Sequence, residues 1–164
     1  MAWTLLLAAG QGNRLASATG GLAKQFLDWK GAPLYWESAL VFSRCARVDG
    51  LVFVFPEACI DEERERVAGL MRNASLGIPW KVVAGGALRQ DSVRNGLAAL
   101  PDDCMEVLIH DAARPFVSPV LVNRILDGLH GEASGECVAA CIPGIPVVDT
   151  IKVMDEEKKG RCHT

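Results

Sequence analysis

The chain has 164 residues, of which 50% are hydrophobic and 23% are charged. This length suits one domain with a substantial core, and the composition excludes a disordered chain. Because the net charge is −3, no overall basic field recruits nucleic acid, and an anionic ligand needs a local basic cluster. No apolar run approaches the roughly 18 residues of a membrane span, and the apolar start lacks the basic residues of a signal peptide.

Short apolar runs alternate with amphipathic segments along the chain. The runs predict strands at residues 3–9, 51–55, 81–84, 107–110 and 137–142. The intervening segments predict helices at residues 34–45, 61–73, 91–100 and 119–129. Ser118 as N-cap and Pro119 at the first helical position mark the start of the last helix. The alternation predicts an α/β fold of Rossmann-like type, with a mostly parallel sheet flanked by helices.

The last fifteen or so residues follow a different pattern. Residues 150–154 are strand-like, residues 155–160 form a charged turn, and residues 161–164 resume an extended pattern. This predicts a β-hairpin arm outside the core of the sheet. Since the return strand stops almost as it begins, we expect the native chain to continue past Thr164.

The cysteines form no C-x-x-C pair, and the chain lacks the cysteine density of a small secreted disulfide framework. Buried free thiols are therefore expected, together with a reducing, cytoplasmic location. The alternative is a zinc site of Cys137, Cys141 and His163, but its ligand spacing differs from that of common zinc sites.

The first candidate site follows the first predicted strand, where open α/β sheets bind ligands. Gly10 and Gly12 would let backbone N–H groups approach a phosphate closely, and Arg14 and Lys24 would add positive charge. Leu15 breaks the G-x-G-x-x-G dinucleotide fingerprint, and no Walker A sequence occurs. A plain glycine turn after a buried strand is the alternative.

The second candidate site is the loop at Gly85 and Gly86, which follows the third predicted strand. Two glycines would expose backbone donors and acceptors that can contact the edge of a base. Asp91 or Ser92 could instead cap the next helix. Spacing alone leaves both interpretations open.

The third candidate site is Asp111, where an apolar strand emerges at the ligand-binding edge of the sheet. A carboxylate in this place commonly holds Mg²⁺ near phosphates. The alternative is a salt bridge between Asp111 and Arg114 that shapes a turn. His110 is expected to pack or to form local hydrogen bonds rather than to catalyse.

Together these motifs resemble the 2-C-methyl-D-erythritol 4-phosphate cytidylyltransferase family of the non-mevalonate isoprenoid pathway. The resemblance covers the whole chain and depends on motifs in a fixed order: Ala8-Ala9-Gly10-x-Gly12-x-Arg14, Lys24-Gln25, Gly85-Gly86-x-x-Arg89-x-x-Ser92 and His110-Asp111-Ala112-Ala113-Arg114-Pro115. Val148-Asp149-Thr150-x-Lys152 and His163-Thr164 resemble the dimerisation arm of that family. Three positions depart from the family pattern: Asn13, Ala23 and Ala87.

The resemblance implies that the phosphate of methylerythritol 4-phosphate attacks the α-phosphorus of CTP, with Mg²⁺ as cofactor. The triphosphate would be held by Arg14 and by backbone groups of Ala8, Ala9, Gly10 and Gly12. Arg14 and Lys24 are the implied catalytic residues, and Lys24 would stabilise charge on the α-phosphoryl group.

The remaining implied roles concern the base and the acceptor. Cytosine would be read by Gly86, Ala87 and Ser92. Asp111 would position Mg²⁺ or the sugar substrate. Arg114 and Thr150 would contact the sugar phosphate from the partner subunit of a homodimer.

The resulting domain prediction is a nucleotide-binding α/β core at residues 1–142 and an incomplete dimerisation arm at residues 143–164. Two alternatives remain. One is a ribitol 5-phosphate cytidylyltransferase, which shares these motifs. The other is a catalytically incomplete nucleotide-binding fragment. Neither nucleic acid nor a membrane is expected as a partner.

Overall fold

The computed structural model describes residues 1–10, 21–131, 135, 138–146 and 148, and the backbone at 153–154 and 162–163. Its strands are β1 Ala2–Leu7, β2 Asp28–Trp29, β3 Ala32–Pro33, β4 Gly50–Phe55, β5 Trp80–Ala84, β6 Glu106–Asp111, β7 Val153–Met154 and β8 Cys162–His163. Its α-helices are α1 Tyr35–Ser43, α2 Ile60–Asn73, α3 Arg89–Ala98 and α4 Pro119–Leu129. Short 3₁₀ turns lie at Lys24–Phe26 and Glu57–Cys59. The chain divides into two compact units, Met1–Arg124 and Ile125–Thr164.

The first unit is built on a four-stranded sheet in the order β5-β4-β1-β6. All three neighbouring pairs are parallel, as the alternation of strands and helices predicts. Every residue of β4 is buried, because helices cover both faces of the sheet at its centre. The predicted α/β fold with a parallel sheet and flanking helices is confirmed.

Alternate residues of the central strands face different helices. On one face, α3 lies so close to the sheet that a β-carbon at Gly96 would be 2.6 Å from Leu5 Cδ2 and 3.3 Å from Val54 Cγ2. On the other face, the ring of Tyr35 in α1 packs edge-on against Phe53 and Phe55, with centroids 6.1 and 5.0 Å apart. Gly96 thus allows α3 to pack this closely on the sheet.

A buried hydrogen bond joins α1 to α2. Tyr35 is completely buried, and its hydroxyl donates to Glu63 Oε2 at 2.7 Å. Burial raises the pKa of Glu63 above its ordinary value, against the opposing effects of the Tyr35 hydrogen bond and of Arg66. Burial likewise raises the pKa of Tyr35 far above its ordinary value. The two groups therefore satisfy each other's hydrogen bonding inside the core.

The second unit begins within α4. Gly131 N–H donates to Gly128 O at 3.3 Å, and Val138 N–H donates to Leu129 O at 3.2 Å, so both bonds close the end of the helix. A β-carbon at Gly128 would be 2.9 Å from Cys141 Sγ, which shows how closely this segment approaches the helix.

The predicted strand at 137–142 is wrong over its described residues, 138–142, which form no strand. Val138 and Ile142 are 44% and 85% exposed. Apolar composition alone does not make a strand, since a strand also needs a hydrogen-bonded neighbour. The predicted terminal hairpin is confirmed where it is described, because Val153 pairs antiparallel with His163 and Met154 with Cys162.

The start of α4 is confirmed by its cap, since Leu121 N–H donates to Ser118 Oγ at 3.2 Å. The division into a core at 1–142 and an arm at 143–164 stays a prediction. Within the described ranges, no helix has the length and apolar character needed to cross a membrane.

Candidate active site

The carboxyl ends of the parallel strands form one edge of the sheet, and the described residues of the three predicted motifs lie along it. Backbone hydrogen bonds continue past the strands: Ala8 N–H donates to Val54 O at 2.8 Å, and Gly85 N–H donates to Phe55 O at 2.7 Å. Ala112 N–H donates to Leu7 O at 3.0 Å. The segments after β1, β5 and β6 therefore leave the sheet at one level, where parallel sheets bind ligands.

The loop after β1 begins with Ala8 and Ala9 and reaches Gly10 before the described residues stop. A β-carbon at Gly10 would meet no described atom within 4 Å. The side chain of Gln25 lies beneath the loop and is buried. Its Nε2 donates to Ala8 O at 2.7 Å and to Gly10 O at 2.6 Å.

Lys24 is the first residue of the 3₁₀ turn Lys24–Phe26, and its side chain is exposed. It forms no salt bridge with any residue whose placement is described. An exposed ammonium that has no salt bridge with a described residue can attract an anionic ligand. The predicted site residues Gly12, Arg14 and Thr150 lie outside the described residues.

The Gly85-Gly86 loop packs tightly against its neighbours. A β-carbon at Gly85 would overlap Ala9 Cβ and lie 2.8 Å from Ser92 Oγ. A β-carbon at Gly86 would overlap Asp91 Cβ. Both glycines are thus required by close approach, and Gly85 brings the first motif against the second.

Side chains from α3 hold the backbone of this loop. Gly86 N–H donates to Ser92 Oγ at 3.1 Å, and Ser92 is buried. Asp91 Oδ2 accepts from Leu88 N–H at 3.1 Å, which caps the start of the helix. The capping interpretation is confirmed for Asp91, while base recognition by Gly86, Ala87 and Ser92 stays a prediction.

Asp111 ends β6 and lies between two arginines. Arg89 donates to Oδ1 from Nη2 at 2.9 Å and from Nε at 3.2 Å. Arg114 Nε lies 3.4 Å from Oδ2. The predicted ion pair with Arg114 is present, and Arg89 adds a link from α3. Because the carboxylate is 37% exposed and both arginines are more so, these pairs hold weakly and a ligand can rearrange them.

His110 faces α1 rather than the open edge. Its ring lies edge-on to Phe42 with centroids 5.1 Å apart, and Nε2 is 3.0 Å from Arg114 O and 3.1 Å from Ser38 Oγ. Burial lowers the pKa of His110, against the hydrogen bond to Arg114 O and the charge of Asp111, which raise it. The predicted local packing and hydrogen bonding are confirmed.

Within the described part of the chain, no group of three or more His, Cys, Asp or Glu side chains converges on a metal-binding point. Mg²⁺ in phosphate-transfer sites commonly uses one or two carboxylates together with water and phosphate oxygens. Asp111 at the open edge fits such a minimal donor set.

A shallow cavity of about 280 Å³ lies elsewhere, between the end of α2 and the start of β5. Met71, Arg72, Leu76 and Trp80 are among its lining residues. Trp80 is the first residue of β5, so the cavity lies at the amino end of that strand, opposite the edge described above.

Arg89 and Gln25 belong to motifs visible in the sequence, but no role was predicted for either residue. Arg89 offers a faint signal, because an arginine at the first position of a helix opposes the helix dipole and suggests a partner elsewhere. Gln25 offers none that we can identify, since its two carbonyl partners are 15 and 17 residues away.

Comparison with known proteins identifies the family. The model of the family described as "IspD: 2-C-methyl-D-erythritol 4-phosphate cytidylyltransferase" matches residues 2–160. The "Bifunctional enzyme IspD/IspF" of Oleidesulfovibrio alaskensis is 52% identical over 154 residues, which are 94% of this chain and 37% of that protein. A "2-C-methyl-D-erythritol 4-phosphate cytidylyltransferase" of Clostridium botulinum is 33% identical over 153 residues, which are 93% of this chain and 61% of that protein.

Solved structures share the fold. A crystal structure of 4-diphosphocytidyl-2C-methyl-D-erythritol synthase from Anaerococcus prevotii has a TM-score of 0.69 at 20% identity, covering 96% of this chain and 60% of that one. The chain spans a little over a third of the length of the bifunctional relatives that it matches. It belongs to the IspD, or 2-C-methyl-D-erythritol 4-phosphate cytidylyltransferase, family.

Proposed function

We propose that this protein transfers the cytidylyl group of CTP to 2-C-methyl-D-erythritol 4-phosphate, releasing pyrophosphate, as a step in isoprenoid precursor synthesis. One observation carries the proposal: the loops after β1, β5 and β6 meet at one edge of the sheet. Gly85 lies against Ala9, and Arg89 reaches Asp111. A site that binds a polyphosphate, a base and an acceptor together would require these three loops to lie at one edge of the sheet.

The transfer needs charge neutralisation and alignment more than covalent catalysis. An oxygen of the acceptor phosphate attacks the α-phosphorus, and the bond from that phosphorus to the bridging oxygen breaks as pyrophosphate leaves with the electron pair. Lys24, exposed and free of described salt bridges, would neutralise charge on the α-phosphoryl oxygens. Arg14 and the backbone of Ala8, Ala9, Gly10 and Gly12 would bind the triphosphate.

The loop at Gly86 and Ala87, supported by Ser92, would recognise cytosine. The loop is held by hydrogen bonds to Ser92 and Asp91 of α3, each 3.1 Å long. A fixed backbone can discriminate between bases strongly, because a wrong base leaves polar groups unpaired. Selectivity for CTP would therefore come mainly from backbone donors and acceptors.

The acceptor would bind beside Asp111, with Arg114 and Thr150 contacting its phosphate from the partner subunit of a homodimer. Mg²⁺ would be held by Asp111 and by phosphate oxygens, and when bound it supplies charge neutralisation on the triphosphate. Asp111 would orient either the ion or a sugar hydroxyl. A cytoplasmic location belongs to the same proposal, and the free thiols of Cys45, Cys59, Cys104 and Cys141 support it.

The test is a pyrophosphate-release assay with Mg²⁺, in which CTP, UTP, ATP and GTP are each paired with methylerythritol 4-phosphate and with ribitol 5-phosphate. The proposal expects turnover for CTP with methylerythritol 4-phosphate alone. Turnover of CTP with ribitol 5-phosphate would identify ribitol 5-phosphate as the acceptor, as in the alternative function. Absence of turnover in every pair would leave a nucleotide-binding fragment and contradict the proposal for this chain.

A further inference from the structure

Gln25 links the 3₁₀ turn Lys24–Phe26 to the loop after β1. The residue is only 4% exposed, and Nε2 donates to two backbone carbonyls, Ala8 O at 2.7 Å and Gly10 O at 2.6 Å. A primary amide has two N–H donors, so both of them are used. This one side chain therefore fixes the directions of two peptide groups in the loop.

The directions of these peptide groups determine whether the loop presents an N–H group or a carbonyl oxygen to a bound anion. In a trans peptide the carbonyl of one residue and the N–H of the next point opposite ways, and no cis peptide occurs among the described residues. With the Ala8 carbonyl turned toward Gln25, the N–H of Ala9 faces away from that side chain. A carbonyl oxygen turned toward a phosphate would repel it, whereas an N–H group attracts one.

The residue after Gln25 is held in place by aromatic packing. The neighbouring ring of Phe26 lies 6.2 Å from that of Tyr35 and 6.0 Å from that of Phe55, measured between centroids. The hydroxyl of Tyr35 in turn donates a hydrogen bond to Glu63 Oε2 at 2.7 Å. The same short turn thus directs Gln25 into the protein and leaves Lys24 exposed, so the loop and the lysine share one support.

We propose that Gln25 is a positioning residue for polyphosphate binding. It holds the carbonyls of Ala8 and Gly10 toward its own side-chain amide and thereby turns the N–H of Ala9 toward the triphosphate of CTP. This inference rests on the proposed function, because it takes CTP as the ligand. It assigns Gln25 to the phosphate part of that ligand and gives it no role with cytosine.

The experiment compares wild type with Gln25→Met, which has similar length and no donor. Gln90→Met is the matched control, since Gln90 is an exposed glutamine of α3. Dissociation constants for CTP and for cytidine are measured by NMR titration in the presence of Mg²⁺. We expect Gln25→Met to weaken CTP binding about tenfold or more while cytidine binding changes less than about twofold. Gln90→Met should change neither.

A second variant keeps the test decisive if Gln25→Met does not fold. Gln25→Glu at neutral pH places a carboxylate against two carbonyl oxygens, and protonation restores one donor. Its CTP affinity relative to wild type should therefore recover as the pH falls from 7 to 5. Equal losses for CTP and cytidine, or unchanged CTP affinity in both Gln25 variants, would overturn the role of Gln25 alone. Failure of wild type to bind CTP would overturn the proposed function, and this inference with it.

Discussion

Gly85 approaches Ala9 so closely that a β-carbon on Gly85 would overlap the methyl group of Ala9. This contact joins the segment after β5 to the segment after β1, and it leaves no room for a side chain. Gly85 also lies beside Ser92, whose hydroxyl holds the next peptide of the loop at 3.1 Å. A methyl group at position 85 must displace at least one of the two loops.

We expect Gly85→Ala to destabilise the protein by about 1–3 kcal/mol, the usual cost of overpacking, and to weaken CTP binding. Urea unfolding and a CTP titration check the two effects. Gly77→Ala is the control, because a β-carbon there would meet no described atom within 4 Å. Wild-type stability and affinity in Gly85→Ala would show that the two loops do not need this contact.

Lys24→Gln should lower kcat by about 100-fold or more, because a preorganised charge is removed where charge develops in the transition state. The thermal midpoint should stay near that of wild type, since Lys24 is exposed. Lys30→Gln removes another exposed lysine and should preserve kcat. An unchanged kcat in Lys24→Gln would refute the catalytic role of Lys24.

Arg114→Ala should raise KM for the acceptor phosphate by about 10- to 100-fold, the loss expected for a charge-assisted hydrogen bond. The KM for CTP should change much less. Arg124→Ala, at an exposed position of α4, serves as the control in the same steady-state assay. If Arg114→Ala raises both KM values equally, Arg114 acts on the nucleotide side or through structure.

Burial lowers the pKa of His110, so the folded state binds fewer protons than the unfolded state at mildly acidic pH. Stability should therefore fall as the pH drops through the ordinary histidine value of about 6.5. His110→Gln keeps a donor for Arg114 O and removes the titrating group. Urea unfolding at pH 7.5 and 5.5 should show a smaller loss in this variant, and equal losses would contradict the expected role of burial.

Glu63 should have the opposite effect on stability. Burial raises the pKa of Glu63, so the folded state holds its proton to a higher pH than the unfolded state does. The contribution of Glu63 is then largest at low pH and is lost as the pH rises from about 4.5 through the raised value. Between pH 5 and 7, wild type should lose stability relative to Glu63→Gln in urea unfolding. A constant difference would mean that Glu63 titrates normally.

Local signals in the sequence predicted local structure well. The Ser118-Pro119 start of α4 is an example, because a cap involves residues only three apart. The glycine motifs and Asp111 were found because ends of parallel strands meet at one edge. The strand predicted at 137–142 is wrong over its described residues, 138–142, since a strand needs a neighbour that its own residues do not specify.

Long-range side-chain partners could not be predicted in this way. Arg89 reaches Asp111 across 22 residues of sequence, and Gln25 reaches the loop after β1 across 15 and 17 residues. Such pairs depend on how α3 and the 3₁₀ turn pack on the sheet, which in turn depends on contacts such as that of Gly96 with Leu5. The spacing of residues within one element does not determine how closely α3 and the 3₁₀ turn pack on the sheet.

The most direct measurement follows the acceptor phosphate through the reaction. Methylerythritol 4-phosphate with ¹⁸O in its non-bridging phosphate oxygens is incubated with CTP, Mg²⁺ and the protein, and the products are resolved by ³¹P NMR. Attack on the α-phosphorus predicts that all the label enters the CDP-methylerythritol product and none enters pyrophosphate. Label in pyrophosphate, or the absence of CDP-methylerythritol, would contradict the proposed cytidylyl transfer.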